Sequence, residues 1–327
     1  MDEHLGTPVS SRRTDGEEGW EHDLISKLAF AALVEQRRRR RWSIFFKFVF
    51  FTYLLVLLLM VYGPFDEKSA LGKRHTAMVK VDGLIASSTD ASADNITAAL
   101  RAAFENEKTA GVILRINSPG GSPVQAGEVY DEITRLRKAH PRVPIYAVAL
   151  DMCASGGYYV ATATQKIYAN RASIIGSIGV RADGFGFPEV MEKLGIERRL
   201  YTAGKNKAFL DPFSAAQPQD VQHLQSMLGD IHQQFISAVK NGRGERLRET
   251  PELFSGLMWT GEQSMKLGLV DDFGSVRYVA EEIIGAKNIV DYTRRTRLVE
   301  RIFEGVESSL SEVMFGLLGK GGINSVY

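Results

Sequence analysis

Short apolar runs rich in valine and isoleucine alternate with amphipathic segments through the middle of this 327-residue chain. The runs Ala77–Val81, Gly111–Ile116 and Ile145–Leu150 have the length and composition of buried strands. Asn95–Glu105 and Val124–His140 lie between them and have helical periodicity. Because consecutive parallel strands need crossover helices, this order predicts an α/β fold with a largely parallel sheet.

Two glycine-containing turns follow predicted strands. The first is NSPGGS at Asn117–Ser122, and the second is MCASGGYY, which contains Ser155. A serine hydroxyl becomes an effective nucleophile when a base takes its proton and backbone amides stabilise the oxyanion. Gly156 offers one such amide, and Gly120 or Gly121 offers a second. Either turn alone is typical of an ordinary connection, but the carboxyl ends of strands in α/β sheets are where ligands bind.

The base that would serve Ser155 is predicted to be a lysine. None of the six histidines has a nearby motif carboxylate to orient it, and we expect His223 and His232 to be solvated on a polar helix. The segment GKNKAFLDPF contains Lys205 and Lys207. An Ala-Phe-Leu run follows Lys207, and a catalytic lysine needs apolar surroundings that favour its neutral form. Lys207 is therefore the better candidate.

These segments occur in the order found in the signal peptide peptidase A family, and the chain resembles a short, single-repeat bacterial member over about Thr76–Ile284. IIGSIGV at Ile174–Val180 and WTGEQSMKLGLVDDFG at Trp259–Gly274 also match. The resemblance implies a membrane-bound serine protease with a Clp protease/crotonase-like fold of repeated β-β-α units. Two positions depart from the family pattern: Arg171 replaces a common proline, and Ser264 replaces a common alanine.

The resemblance also assigns roles to particular residues. It implies that Ser155 is the nucleophile, that Lys207 is the general base, and that Ser177 helps to hold the lysine. Gly120 or Gly121 would form the oxyanion hole with Gly156, as the turn chemistry indicates. No cofactor and no metal are expected for this Ser/Lys chemistry.

The N-terminal region carries the pattern of a membrane anchor. Arg37–Arg41 is a run of five arginines, and the 19 residues of Ile44–Tyr62 are apolar apart from Lys47. At about 1.5 Å per residue this stretch spans roughly 28 Å, which matches a bilayer core. Basic residues before the span place the N-terminus in the cytoplasm. We therefore expect a single-pass protein of the bacterial inner (cytoplasmic) membrane with a periplasmic or extracytoplasmic catalytic domain.

The chain divides into five predicted segments. They are a partly disordered cytoplasmic tail (1–41), a transmembrane anchor (42–63), a linker (64–75), a catalytic protease domain (76–290) and a C-terminal helix and tail (291–327). Within these, helices are also predicted over Trp20–Gln36, Gln217–Lys240 and Glu262–Leu267. Arg297–Leu318 has an apolar stripe that fits either packing on its own domain or an oligomer contact.

Composition limits the partners. Forty basic residues balance 39 acidic ones, so net charge gives no reason to expect nucleic acid. Cys153 is the sole cysteine, which excludes an intrachain disulfide and favours a small buried filler. Membrane lipid is expected around the anchor.

The resemblance implies particular substrates and an assembly. The substrates would be signal peptides left in the membrane after secretion, and also misfolded exported proteins. Single-repeat members form homo-oligomeric rings in which the lysine of one subunit can meet the serine of the next, so Ser155 and Lys207 could pair within or between subunits. Two alternatives stay open: a crotonase-like acyl-CoA enzyme, which has a similar oxyanion hole but needs no Ser/Lys pair, and a non-catalytic membrane scaffold.

Overall fold

The computed structural model describes residues 35–56 and 73–294. The chain divides into two compact units, Met1–Asp66 and Glu67–Tyr327. In the first unit, residues 35–56 form one helix, α1. The predictions for the tail before residue 35, for the end of the anchor and the linker at 57–72, and for the C-terminal helix lie outside the described residues.

Helix α1 contains the arginine run and the first part of the predicted anchor. Its apolar side chains, such as Trp42, Phe48 and Tyr53, are exposed. Among the helices of residues 35–56 and 73–294, none combines the length and the apolar composition needed to cross a membrane.

In the described part of the second unit, eight strands form one mixed sheet. They are β1 (His75–Asp82), β2 (Thr109–Ser118), β3 (Ile145–Ala154), β4 (Lys166–Ala169), β5 (Ile174–Gly176), β6 (Met258–Thr260), β7 (Asp272–Phe273) and β8 (Ile289–Asp291). The order is β6-β5-β3-β2-β1-β8, with β4 between β3 and β7. All neighbours are parallel except β5 and β6, which are antiparallel. The predicted α/β fold is confirmed, with a mixed sheet.

Four helices of this unit begin and end close to the predicted positions: α2 (Ala93–Glu105), α3 (Pro123–Ala139), α6 (Pro218–Arg243) and α7 (Gly261–Lys266). The structure adds three short helices that the sequence patterns do not predict: α4 (Gly156–Thr162), α5 (Pro188–Lys193) and α8 (Val276–Tyr278). Capping explains two of the starts: Ser92 accepts the amide of Asn95, and Ser122 accepts the amide of Gln125. Ser122 is the last residue of the NSPGGS turn, so the turn and the helix after it are one local structure.

Single strands and single helices alternate through β1, α2, β2, α3, β3 and α4. The expected β-β-α units do not repeat in this part of the chain. The physical reason is that β1, β2 and β3 are parallel neighbours, and each parallel step requires a crossover. Within the described residues, two strands follow each other directly only at β4 and β5. Both pair with the edge of β3 that lies opposite β2, β4 with the beginning of β3 and β5 with its end.

Both faces of the sheet are buried, which explains why the strand sequences are apolar without alternation. Along β2, Val112 and Leu114 belong to the larger core, whereas Ile113 between them belongs to the smaller one. The larger core also includes Val129 of α3 and Phe235 of α6. Cys153 lies in this core and is fully buried, which agrees with its expected role as a filler.

A buried ion pair ties the end of α6 to the sheet. Arg243 is 1% exposed and donates two hydrogen bonds to the carboxylate of Asp271, at 2.8 and 2.9 Å. Burial by itself raises the pKa of Asp271, but the hydrogen bonds and charge of Arg243 outweigh it and hold the pKa below its usual value. The amide of Ile167 on β4 donates to the same carboxylate.

Replacing Asp271 with asparagine is expected to lower the free energy of unfolding by about 3 kcal/mol at neutral pH, because Arg243 would remain buried without its counter-ion. Since the folded pKa is depressed, the stabilisation is present above the unfolded pKa of about 3.9 and is lost as pH falls through the folded value. Urea unfolding of wild type and variant from pH 7 downward measures both effects.

The exposed Arg277–Glu281 pair is the control. Glu281→Gln should change the free energy of unfolding by less than about 0.5 kcal/mol. If the two variants have equal effects, this prediction is wrong.

Ser264, one of the two residues that depart from the pattern of the resemblance, is fully buried on α7. Its hydroxyl has no hydrogen-bond partner among the described residues. Replacing Ser264 with alanine is expected to raise the free energy of unfolding by about 1 kcal/mol, because an unsatisfied buried hydroxyl is removed. Ser226→Ala on α6 is the control for the helix-propensity gain, since Ser226 is an exposed helical serine. A loss of stability in Ser264→Ala would show that the hydroxyl has a partner.

Candidate active site

Ser155 lies at the point where β3 ends and α4 begins. It has φ 51° and ψ −124°, a backbone conformation that residues with a Cβ rarely adopt. Its amide donates to the carbonyl of Gly176 at 2.8 Å, and its carbonyl accepts the amide of Tyr159 at 2.9 Å. The surrounding backbone therefore holds the strained turn. A serine at such a strand-to-helix turn is presented above the sheet, as in a nucleophile elbow, although the sequence CASGG is not GxSxG.

Strand β3 continues up to Ser155 although its pairing with β2 is irregular, because a side chain of β2 bonds to the irregular part of β3. Ile116 pairs with Ala149, but Ser118 pairs with Cys153, so β3 contains two extra residues opposite Asn117. The Asn117 side chain accepts the amide of Met152 at 3.2 Å and donates to the Asp151 carboxylate at 3.1 Å. It thereby satisfies backbone that the pairing leaves open.

The two glycine turns lie against each other. A Cβ on Gly120 (φ 104°) would lie 2.7 Å from both the Gly156 amide nitrogen and the Ser155 Cβ. A Cβ on Gly156 would lie 3.2 Å from the Gly121 nitrogen. The Gly120 amide donates to Ser118 Oγ at 3.1 Å, whereas those of Gly121 and Gly156 have no acceptor within residues 35–56 and 73–294. Two neighbouring amides without acceptors have the arrangement of an oxyanion hole.

Ser177 belongs to the same site. It follows β5 with φ 53°, and its amide donates to the carbonyl of Leu257 at 2.7 Å. Ser155, Ser177 and Leu210 are the non-glycine residues with positive φ in the described part of the chain. Strained backbone of this kind concentrates at functional sites, and here it occurs at two predicted site residues and three positions after Lys207.

One open cavity of about 1210 Å³ connects these residues. Ser155, Ser177 and the three glycines line it. Its apolar wall comes from the β1 end, from α3, from β3 and from α6, through Leu84, Val124, Met152, Ile231 and Phe235. The lining also includes charged residues, among them Glu128, Asp131 and Asp183. The cavity has the size of a ligand site, and its apolar wall can contact apolar side chains of a peptide.

Lys207 is not among the residues that line this cavity. Its side chain is exposed, within a segment (185–213) that leaves the sheet between β5 and α6. The Phe187 amide closes the segment by donating to the Pro212 carbonyl at 2.7 Å, and the Phe187 and Phe213 rings lie 5.9 Å apart. Tyr201 is 88% exposed. The structure of one copy therefore brings together five of the six predicted site residues and leaves Lys207 apart from them.

His232 differs from its expected solvated state. Its ring is half-buried, and Nε2 lies 3.1 Å from the carbonyl oxygen of Ile178, next to Ser177. The polar helix sequence around His232 gave no signal of this contact, because it depends on the loop after β5. None of the histidines in the described residues lines the cavity.

Two family models match the chain: Clp protease over residues 77–176 and peptidase family S49 over residues 137–289. The "Putative protease slr0021" of Synechocystis is 32% identical over 203 residues, which are 62% of this chain and 71% of that protein. The "Putative signal peptide peptidase SppA" of Enterococcus faecium is 29% identical over 199 residues, 61% of this chain and 57% of that protein.

A Brucella abortus protein named Na(+)/H(+) antiporter NhaA is 43% identical over 188 residues. These are 58% of this chain but only 25% of that protein, so the chain spans a quarter of its length. The matched residues of the S49 model contain Ser155, Ser177 and Lys207, and the slr0021 relative is covered over most of its length. The chain therefore belongs to peptidase family S49, the family of the signal peptide peptidase A serine proteases.

Proposed function

We propose that this protein is a membrane-anchored serine endopeptidase that uses a Ser155/Lys207 dyad. The observation that carries the proposal is the strained turn at Ser155, with the acceptor-free amides of Gly121 and Gly156 beside it. Preorganised amides of this kind stabilise the charge that develops on a peptide carbonyl oxygen during attack.

The reaction proceeds through an acyl-enzyme. Ser155 Oγ attacks the peptide carbonyl while its proton passes to the Lys207 amine, and the carbonyl oxygen becomes the oxyanion. The C–N bond then breaks, and the leaving amine takes the proton from Lys207. Water next attacks the ester under the same base, which releases the acid and restores Ser155. Ser177, on the rim of the cavity, would hold the lysine amine in place.

The lysine is supplied by a second copy of the chain. Support comes from the exposed position of Lys207 and from the apolar side chains of the segment that carries it. Phe185, Leu194 and Tyr201 are 81%, 67% and 88% exposed in a single copy. Exposed apolar side chains at this density mark an interaction surface. A ring of copies would cover them and bring each Lys207 to the cavity of its neighbour.

Mixing Ser155→Ala and Lys207→Ala proteins tests this arrangement. Each variant alone should be inactive, because each assembly lacks one group at every site. In a randomly assembled equal mixture about a quarter of the sites combine an intact serine with an intact lysine, so about a quarter of wild-type activity should return. Peptide digestion by the detergent-solubilised proteins measures this. No recovery after verified subunit exchange would count against a shared site.

The substrates proposed are signal peptides that remain in the membrane after secretion, and misfolded exported proteins. The apolar cavity wall supports this choice, since the central region of a signal peptide is an apolar stretch. The arginine run and apolar stretch before residue 63 support a single-pass anchor in the bacterial inner membrane, with the catalytic unit outside the cytoplasm. Such a location would place the cavity next to its substrates.

A further inference from the structure

Ser118, the second residue of the NSPGGS turn, is a buried polar residue that the proposed mechanism does not use. It is fully buried at the end of β2. Its hydroxyl donates to the carbonyl of Gly83 at 2.6 Å and accepts the amide of Gly120 at 3.1 Å. One hydroxyl thus connects the turn after β1 with the turn after β2.

The turn after β1 also holds the glycine turn through Ile85. The Ile85 amide donates to the Gly120 carbonyl at 2.8 Å, and the Ser122 amide donates to the Ile85 carbonyl at 2.8 Å. Gly121 lies between these two bonds, and a Cβ there would lie 2.1 Å from the Ile85 oxygen. The backbone of Gly121 is therefore fixed on both sides, while its own amide remains available.

Ser118 reaches the nucleophile's helix as well. A Cβ on Gly157 would lie 3.2 Å from the Ser118 carbonyl oxygen and 3.3 Å from its Cβ. The backbone of Ser118 pairs with Cys153, two residues before Ser155. Ser118 therefore contacts Gly120 and lies against Gly157, the chain neighbours of the two glycines whose amides are assigned to the oxyanion hole.

We infer that Ser118 is a positioning residue, which sets the Gly121 amide at the distance from the Gly156 amide that one oxyanion requires. The inference rests on the proposed function. The position requires a small group that donates and accepts at once. A hydroxyl does both, a thiol does both weakly, and a methyl group does neither. Displacement of the turn would therefore weaken stabilisation of the transition state more than binding of the substrate.

The test compares Ser118→Ala and Ser118→Cys with wild type in the full-length solubilised protein. We expect Ser118→Ala to lower kcat about 100-fold, because a donor displaced by about 1 Å costs that much, with KM changed less than about threefold. Binding of a peptide boronate, which forms a tetrahedral adduct with Ser155, should weaken by a similar factor. Ser118→Cys should fall between Ser118→Ala and wild type.

The control is Thr76→Val at the other end of β1. The Thr76 hydroxyl is also fully buried and donates to a backbone carbonyl, that of Ala286, at 2.7 Å. Thr76→Val should lower stability without changing kcat or boronate binding. If the kcat of Ser118→Ala is within about threefold of wild type and this activity still requires Ser155, the inference is wrong but the proposed function stands. If Ser118→Ala does not fold, Ser118→Cys decides, and a kcat equal to that of wild type would overturn the inference. If the Ser155→Ala protein hydrolyses peptide at the wild-type rate, the proposed function is wrong, and this inference is wrong with it.

Discussion

Replacing Ser155 with alanine or glycine is expected to reduce peptide hydrolysis by about 10⁴-fold or more, because the attacking hydroxyl is lost. The two variants should differ in stability, since Ser155 has φ 51°. Glycine adopts positive φ without the steric cost that a Cβ introduces. We therefore expect the free energy of unfolding of Ser155→Gly to exceed that of Ser155→Ala by about 1 kcal/mol. A quenched fluorescent peptide reports the activity, and urea unfolding reports the stability.

A serine-reactive phosphonate provides the control for this experiment. It should label wild type at Ser155 and neither variant, which would exclude a non-catalytic scaffold. Peptide hydrolysis that persists in both variants would remove Ser155 from the mechanism and favour acyl-CoA chemistry on the same fold. Equal stabilities of the two variants would mean that the observed φ carries no strain.

Replacing Gly120 with alanine is expected to lower activity by about 10³-fold, comparable to the loss of an oxyanion donor. The new Cβ would lie 2.7 Å from the Gly156 nitrogen, 2.7 Å from the Ser155 Cβ and 3.0 Å from the Ala154 oxygen. These atoms belong to the nucleophile and its backbone, so relief of the clash must move the nucleophile, the Gly156 amide or the turn that carries the Gly121 amide. The positive φ of 104° adds strain of its own.

Gly127→Ala is the matched control, because Gly127 also lines the cavity but lies within α3. A Cβ there would have no atom within 4 Å. This variant should keep its activity, and its stability should rise by up to about 1 kcal/mol through helix propensity. Activity of Gly120→Ala within about tenfold of wild type would show that the two turns can separate without harm to the oxyanion hole.

The central fold could be predicted because its signals are local. The apolar runs of β1, β2 and β3 and the periodicity of α2 and α3 lie in continuous sequence, and the glycine turns follow the strands directly. The carboxyl ends of parallel neighbours lie at one edge of a sheet. This geometry alone predicts that Ser155 and the NSPGGS turn share a cavity, as the structure shows.

Features that depend on distant neighbours could not be predicted. The apolar run predicts a third strand that ends at Leu150, yet β3 continues to Ala154. The Asn117 side chain on the adjacent strand makes this possible, and no local pattern reveals it. The contact of His232 with the Ile178 carbonyl and the separation of Lys207 from Ser155 likewise depend on tertiary structure.

The exposed Lys207 bears on how such a peptidase is kept harmless while it is being made. A single copy carries Ser155 and the amides of Gly121 and Gly156 in one cavity, but Lys207 does not line that cavity. With the base supplied by a neighbour, as proposed above, a dispersed chain would be latent without a propeptide or an inhibitor. Specific activity would then rise with the local concentration of the protein, so that crowding would switch proteolysis on and dilution would switch it off.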